Sequence, residues 1–192
     1  MSRPFRARRG GVVRGQVPAY AAGILTNLAG QLVELLSDGE ATGEVRDPLE
    51  EIVGLDSERE APDDAALRRL LPDAHRDDPE VSAEFRRFTE RTLRTGKIAD
   101  ARVVIDTLAG AGYDETMAPA ELVDFVLDRD TMRSWMRSLT DLRLTLAERL
   151  SVTADDEDYW AGLPGDDPRR QVYEIYGWLG YLLEDLVGAA AR

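Results

Sequence analysis

Any chemistry on this chain must come from carboxylates, arginines, hydroxyls or methionines, because its 192 residues include no cysteine and a single histidine, His75. Without thiols there is no thiolate nucleophile, disulfide, cysteine zinc site or iron–sulfur ligation. One imidazole removes most two-histidine metal and catalytic schemes. His75 lies in the polar stretch Asp73-Ala-His-Arg-Asp-Asp, where it is expected to be exposed, with no partner at helical spacing. A phosphate-binding loop needs a glycine run with lysine and Ser/Thr at fixed spacing, so that backbone amides converge on the anion; none occurs, and a nucleophile elbow is missing too. Glu121, Asp124 and Asp128 would share one helix face and could hold a hard cation, although such a row is more often solvated surface. A dimetal bundle needs Glu-x-x-His pairs, which this sequence lacks. No catalytic residue, cofactor or metal is therefore expected, and the chain reads as a non-enzyme.

Charge is more informative. Arg3, Arg6, Arg8, Arg9 and Arg14 stand in the first 33 residues without a single acid, so that segment carries +5 while the remainder carries −18 of a net −13. Such an arm could contact nucleic acid phosphates or an acidic protein surface. The favoured destination is the protein's own acidic body, because unlike charges on one chain attract. A body of that charge repels DNA at long range. Arg86, Arg87, Arg91, Arg94 and Lys97 form a second basic patch, tempered by Glu80, Glu84 and Glu90, and are read as a solvated face.

The elements that must position these groups point to one mainly α domain, a helical bundle with a small N-terminal β-hairpin. A composition of 43% hydrophobic and 32% charged residues suits a globular core. Residues 5–17 form two extended runs about Gly10-Gly11, a hairpin that must lie on the helices to be stable. Pro18 opens a helix over 18–37 with Tyr20, Ile24, Leu25, Leu28, Leu32, Leu35 and Leu36 at steps of three and four. Residues 38–75 read as an acidic loop with short helices at 48–53 and 63–71, the second capped by Asp63. Asp78 caps a helix over 79–110 with Val81, Phe85 and Phe88 inward, and Gly96 as a place to kink. Pro119 opens a helix over 118–150 whose stripe runs Leu122, Phe125, Val126, Met132, Trp135, Met136, Leu139, Leu142, Leu146 and Leu150. An acidic connector and a Pro-Gly turn lead to the last helix, 168–188. Arg143 falls within the apolar stripe and must be paired or snorkel outward, and Glu184 is the acid expected to meet it. A helix-turn-helix reading of 98–108 and the next helix is disfavoured, since Glu121, Asp124 and Asp128 would face phosphates. Neither a signal peptide nor a membrane span is expected, because Thr26, Asn27, Gln31 and Glu34 interrupt the longest apolar stretch. The expected location is the cytoplasm.

Two strings carry a resemblance. Trp135-Met-Arg-Ser-Leu-Thr-Asp-Leu-Arg-Leu-Thr-Leu-Ala-Glu-Arg-Leu150 is followed, after an acidic spacer, by Tyr173-Glu-Ile-Tyr-Gly-Trp-Leu-Gly-Tyr-Leu-Leu-Glu-Asp-Leu-Val187; the N-terminal Arg-Pro-Phe-Arg with Gly-Gly and the Leu-rich first helix extend it. Together they resemble an actinobacterial family, formerly of unknown function, of oxidative stress transcriptional regulators named AosR. The likeness covers nearly the whole chain except about residues 40–75. It implies a regulator of stress and sulfur metabolism that contacts a sigma factor or RNA polymerase, and gene proximity in the family keeps a role beside the ClpS proteolytic adaptor open. Thiol switching cannot operate here, so oxidant sensing would fall to methionine, with Met117, Met132 and Met136 the central candidates, or to a partner. Core packing is the default role of those methionines.

The expected contact surface joins Arg3, Arg6, Arg8, Arg9 and Arg14 to the aromatics Trp160, Trp178 and Tyr181, because Trp, Tyr and Arg dominate interface hot spots. Arg143 and Glu184 are assigned to structure. Direct DNA binding through the arm, a ClpS-linked adaptor, an enzyme using a carboxylate-bound metal and a homodimer are the alternatives.

Overall fold

The computed structural model describes residues 3–37, 62–74, 78–153 and 155–192. The short helix expected at 48–53 and His75 lie outside them. Strands β1 (Phe5–Arg8) and β2 (Val12–Pro18) make the expected hairpin, with Phe5 opposite Gly15 and Arg8 opposite Val12. Its turn needs glycine, since Gly10 and Gly11 hold φ of +84° and +74°. Helix α1 (Ala19–Ser37) follows directly, then α2 (Ala65–Leu70) and α3 (Pro79–Gly110). Asp64, rather than Asp63, caps α2 by accepting from the Ala66 and Leu67 amides.

The helix expected over 118–150 is corrected. Residues Leu122–Leu127 are a strand, β3, antiparallel to β2 in a sheet of order β1-β2-β3, and helix α4 starts only at Arg129 and ends at Leu150. The run Leu-Val-Asp-Phe-Val-Leu alternates exposed and buried along its length, the period of two that β-branched and aromatic residues favour. Asp128 then caps α4 through the Asp130 and Thr131 amides. A short helix, α5 (Glu157–Gly162), occupies the connector, and α6 (Pro168–Ala190) closes the chain behind its own cap, Asp167.

Helix α4 is the spine, packed on α2, α3 and α6, while α1 lies along α3. By length and apolarity α1 alone among the described helices is able to cross a membrane. Here its Ala22, Leu25, Ala29, Leu32 and Leu36 are fully buried in the common core. The inner face of the sheet sits on the bundle through Phe5, Phe125 and Trp135, with ring centroids 4.9 to 6.2 Å apart. The Trp135 indole donates to the Thr107 hydroxyl at 3.3 Å. Gly15 is required here too: a Cβ on it would stand 2.2 Å from the Phe125 ring.

Helix α3 turns its expected faces around in its first half. Val81, Phe85 and Phe88 were expected inward, yet all three are exposed. The buried stripe instead runs Ser82, Glu90, Arg94, Ala101, Val104 and Leu108, at steps of three, four, seven and eight. Arg94, expected on the outer side, is buried: its Nε donates to Glu90 at 2.8 Å and its Nη1 to the Leu36 carbonyl at 2.9 Å. It thereby supplies a donor to a last-turn carbonyl of α1 that has no partner within its own helix.

Candidate functional site, the outer face of the sheet

Strand alternation puts every second residue of the hairpin outward. Phe5, Val13, Gly15 and Val17 are buried, which leaves Arg6, Arg8, Arg14 and Gln16 on the other side, with Asp124 beside them on β3. Register makes Arg6 the direct cross-strand partner of Arg14, and Arg14 in turn faces Val126. Like charges directly opposite each other destabilise a sheet. One acid relieves the row: Asp124 accepts from Arg14 at 2.6 Å and from Gln16 at 3.0 Å. The Gln16 amide and the Arg14 guanidinium together hold the Asp124 carboxyl below its ordinary range.

The expectation that the arm pairs with the acidic body is met only in part. Arg3 lies 3.9 Å from Asp185 on α6, and Asp185 also accepts the Phe5 amide at 2.9 Å. Arg6, Arg8 and Arg9 are exposed and, among the described residues, have no ion-pair partner. Apolar groups stand beside them: Val126 is 63% and Leu122 54% exposed on the same face, and Tyr20, 60% exposed, follows at the start of α1. Both β3 residues fall in the stripe of the expected helix, and the period of two along β3 is the signal that turns them outward.

The expected aromatics divide. Trp160 is buried, stacked on Tyr173 with centroids 4.8 Å apart and planes 8° from parallel, so it holds α5 to α6 and offers no contact surface. Trp178 is half-buried against the core. Tyr181 is exposed, one turn before Asp185, and is therefore on the α6 face that receives β1. Of the three, it alone is both accessible and near the arginine hairpin.

Arg143 meets a partner other than the expected acid. Its guanidinium carbon sits 4.8 Å above the Tyr176 ring and packs against Gly180 of the same helix. No ion pair joins it to Glu184, which is exposed. The row Glu121, Asp124 and Asp128 is dissolved by β3: Asp124 serves the sheet, Asp128 caps α4, and the Glu121 carbonyl accepts the Ala19 amide at 2.7 Å. The amide of Thr131 holds the Asp128 carboxyl low, as suits a cap.

The face therefore sets exposed guanidinium groups beside exposed apolar side chains. The family described as a domain of unknown function, DUF2017, matches residues 2–190. Proteins named oxidative stress regulator AosR from Mycobacterium bovis and Mycobacterium tuberculosis are 30% identical, across 94% of this chain and 83% of theirs. A Mycobacterium leprae protein given that name provisionally is 28% identical over 91% of this chain and 80% of its own. No solved structure matches. With a match that runs almost from end to end, the chain belongs to the DUF2017 family and is a relative of the mycobacterial regulators of oxidative stress.

Proposed function

We propose that this protein is a non-enzymatic, cytoplasmic regulator of the stress response that docks the outer face of its sheet on an acidic patch of the transcription machinery, a sigma factor or RNA polymerase. The observation that carries this reading is Arg6 set opposite Arg14, with Arg8 and Arg9 unpaired nearby and exposed Val126 and Leu122 alongside. A fold that tolerates stacked cations on an open face has a use for them once an acid arrives, and apolar neighbours supply the area that charge alone does not. The names of the relatives support the regulatory part. Protein is favoured over DNA because the remainder of the chain carries −18.

The test is a paired capture from cell extract with the native chain and the double variant Arg6→Glu/Arg8→Glu. Recovery of a sigma factor or polymerase subunits by the native chain, lost in a variant with unchanged melting temperature, is the expected outcome. Equal recovery by both would overturn the assignment of the face. A gel shift with a steep salt slope abolished by the same variant would favour the DNA reading instead, and recovery of proteolytic components would favour an adaptor.

A further inference from the structure

The contact between α3 and α4 contains a second place where chemistry is set up. A shallow depression of about 230 Å³ is lined by Lys97, Met136, Arg137, Thr140 and Asp141. Lys97 Nζ bonds Asp141 at 2.6 Å, and Arg137 Nε lies 2.8 Å from Asp100. Met136, a half-buried soft nucleophile, thus lines the same depression as the Lys97 ammonium and the Arg137 guanidinium, each already paired with a carboxylate. An ammonium has three donors, of which Lys97 spends one on Asp141.

We propose that Met136 is the oxidant-reactive group of this chain, the site at which a hydroperoxide converts a thioether to a sulfoxide. The inference rests on the stress-regulator reading for its biological sense and on this geometry for its chemistry. A sulfur lone pair attacks one peroxide oxygen, and the S–O bond forms as the O–O bond breaks. The proton on the transferred oxygen passes to the departing one, so hydrogen peroxide leaves as water; sulfur loses two electrons and the peroxide gains them. Lys97 and Arg137 donate to the departing oxygen as its charge grows, which is where fixed donors speed a reaction. The protein holds its own controls. Met132, one turn earlier, is buried, while Met117 is half-buried like Met136 but follows the acidic turn Asp114-Glu115-Thr116.

The product changes the contact. A sulfoxide oxygen is a strong acceptor placed beside Lys97, and it competes with Asp141 for the ammonium. Asp141 is buried, so a weakened pair leaves a carboxylate short of its partner and loosens α3 against α4. Enzymatic reduction of the sulfoxide restores the original state.

Peroxide treatment of the full-length native protein, with sulfoxide measured peptide by peptide in a mass spectrometer, tests this. Met136 is expected to oxidise about five-fold faster than Met117, the gain that one hydrogen bond to the departing oxygen confers. Lys97→Gln is expected to remove most of that difference, and Arg137→Gln, at a more exposed position, serves if the first variant folds poorly. In urea the two methionines should react alike. Equal native rates at Met136 and Met117, or a Met136 rate indifferent to both variants, would overturn the site. Peroxide is also expected to lower the melting temperature of the native chain and leave Met136→Leu unchanged; an equal fall in both would overturn the switch. None of these readouts uses a partner, so failure of the docking face and failure of Met136 are told apart.

Discussion

The two halves of α3 solve the same burial problem with opposite materials. From Ala101 to Leu108 the inward stripe is Ala, Val and Leu, each fully buried against α1 and α4. From Ser82 to Arg94 the inward stripe is polar and charged, while Val81, Phe85 and Leu93 stand more than 40% exposed. The C-terminal half is held by area removed from water, which tolerates small shifts and has no direction. The N-terminal half is tied to a carbonyl of α1 by Arg94, whose charge Glu90 of the same helix balances, contacts that fix one geometry and fail if one member is removed. Hydrophobic periodicity alone reads the first kind of half correctly and inverts the second.

The sharpest way to break this contrast is Arg94→Ala. It should cost about 3–5 kcal/mol, as expected when one member of a buried ion pair is deleted, read as a lower denaturation midpoint. Glu90→Leu combined with Arg94→Met should recover most of that, leaving about 1 kcal/mol for the unbonded Leu36 carbonyl. A double variant as damaged as the single one would show that the charged half does more than balance itself.

In the apolar half, Leu108→Ala should cost about 3 kcal/mol from lost transfer energy and the cavity left behind. The matching change outside, Phe85→Ser, should stay within about 0.5 kcal/mol. A Phe85 effect comparable to that of Leu108 would mean that the exposed stripe is covered in solution.

The smallest effect lies at the boundary of the halves, where Lys97 of α3 meets Asp141 of α4. Burial pushes the Asp141 carboxyl above its ordinary range despite the Lys97 ammonium. The folded state therefore binds this proton more tightly than the unfolded chain, so the contribution is fully present at low pH and is lost as pH rises through the raised folded value. Unfolding free energy, followed from the ordinary carboxylate range upward, should fall with pH more steeply in the native chain than in Asp141→Asn. Parallel curves would place Asp141 in water.

Much of the architecture is legible in the sequence because its signals are local. Asp78 with Pro79, and Asp167 with Pro168, mark two helix starts, Pro18 ends β2 one residue before a third rather than opening it, and Gly10-Gly11 marks the hairpin turn. What is hidden depends on partners distant in the chain. Six residues with both β-branched and helical character become β3 because β2 supplies a hydrogen-bonding edge more than 100 positions earlier. The outer face of the sheet is half legible: the arginines are plain, but that Arg6 opposes Arg14, and that Leu122 and Val126 join them outside, follows from register alone. Arg143 stands out in the sequence as a charge within an apolar stripe. Its answer, the Tyr176 ring one helix away, is aromatic and not acidic, a choice that no charge pattern encodes.

The bond from the Phe5 amide to Asp185 spans 180 positions and fastens the first strand to the last helix. During synthesis, the arginine-bearing hairpin emerges long before the strand that flanks it or the carboxylate that anchors it. Any surface built on that sheet is consequently completed only once the helix that carries Asp185 has been made, and a polypeptide cut before that helix cannot present it in the same form.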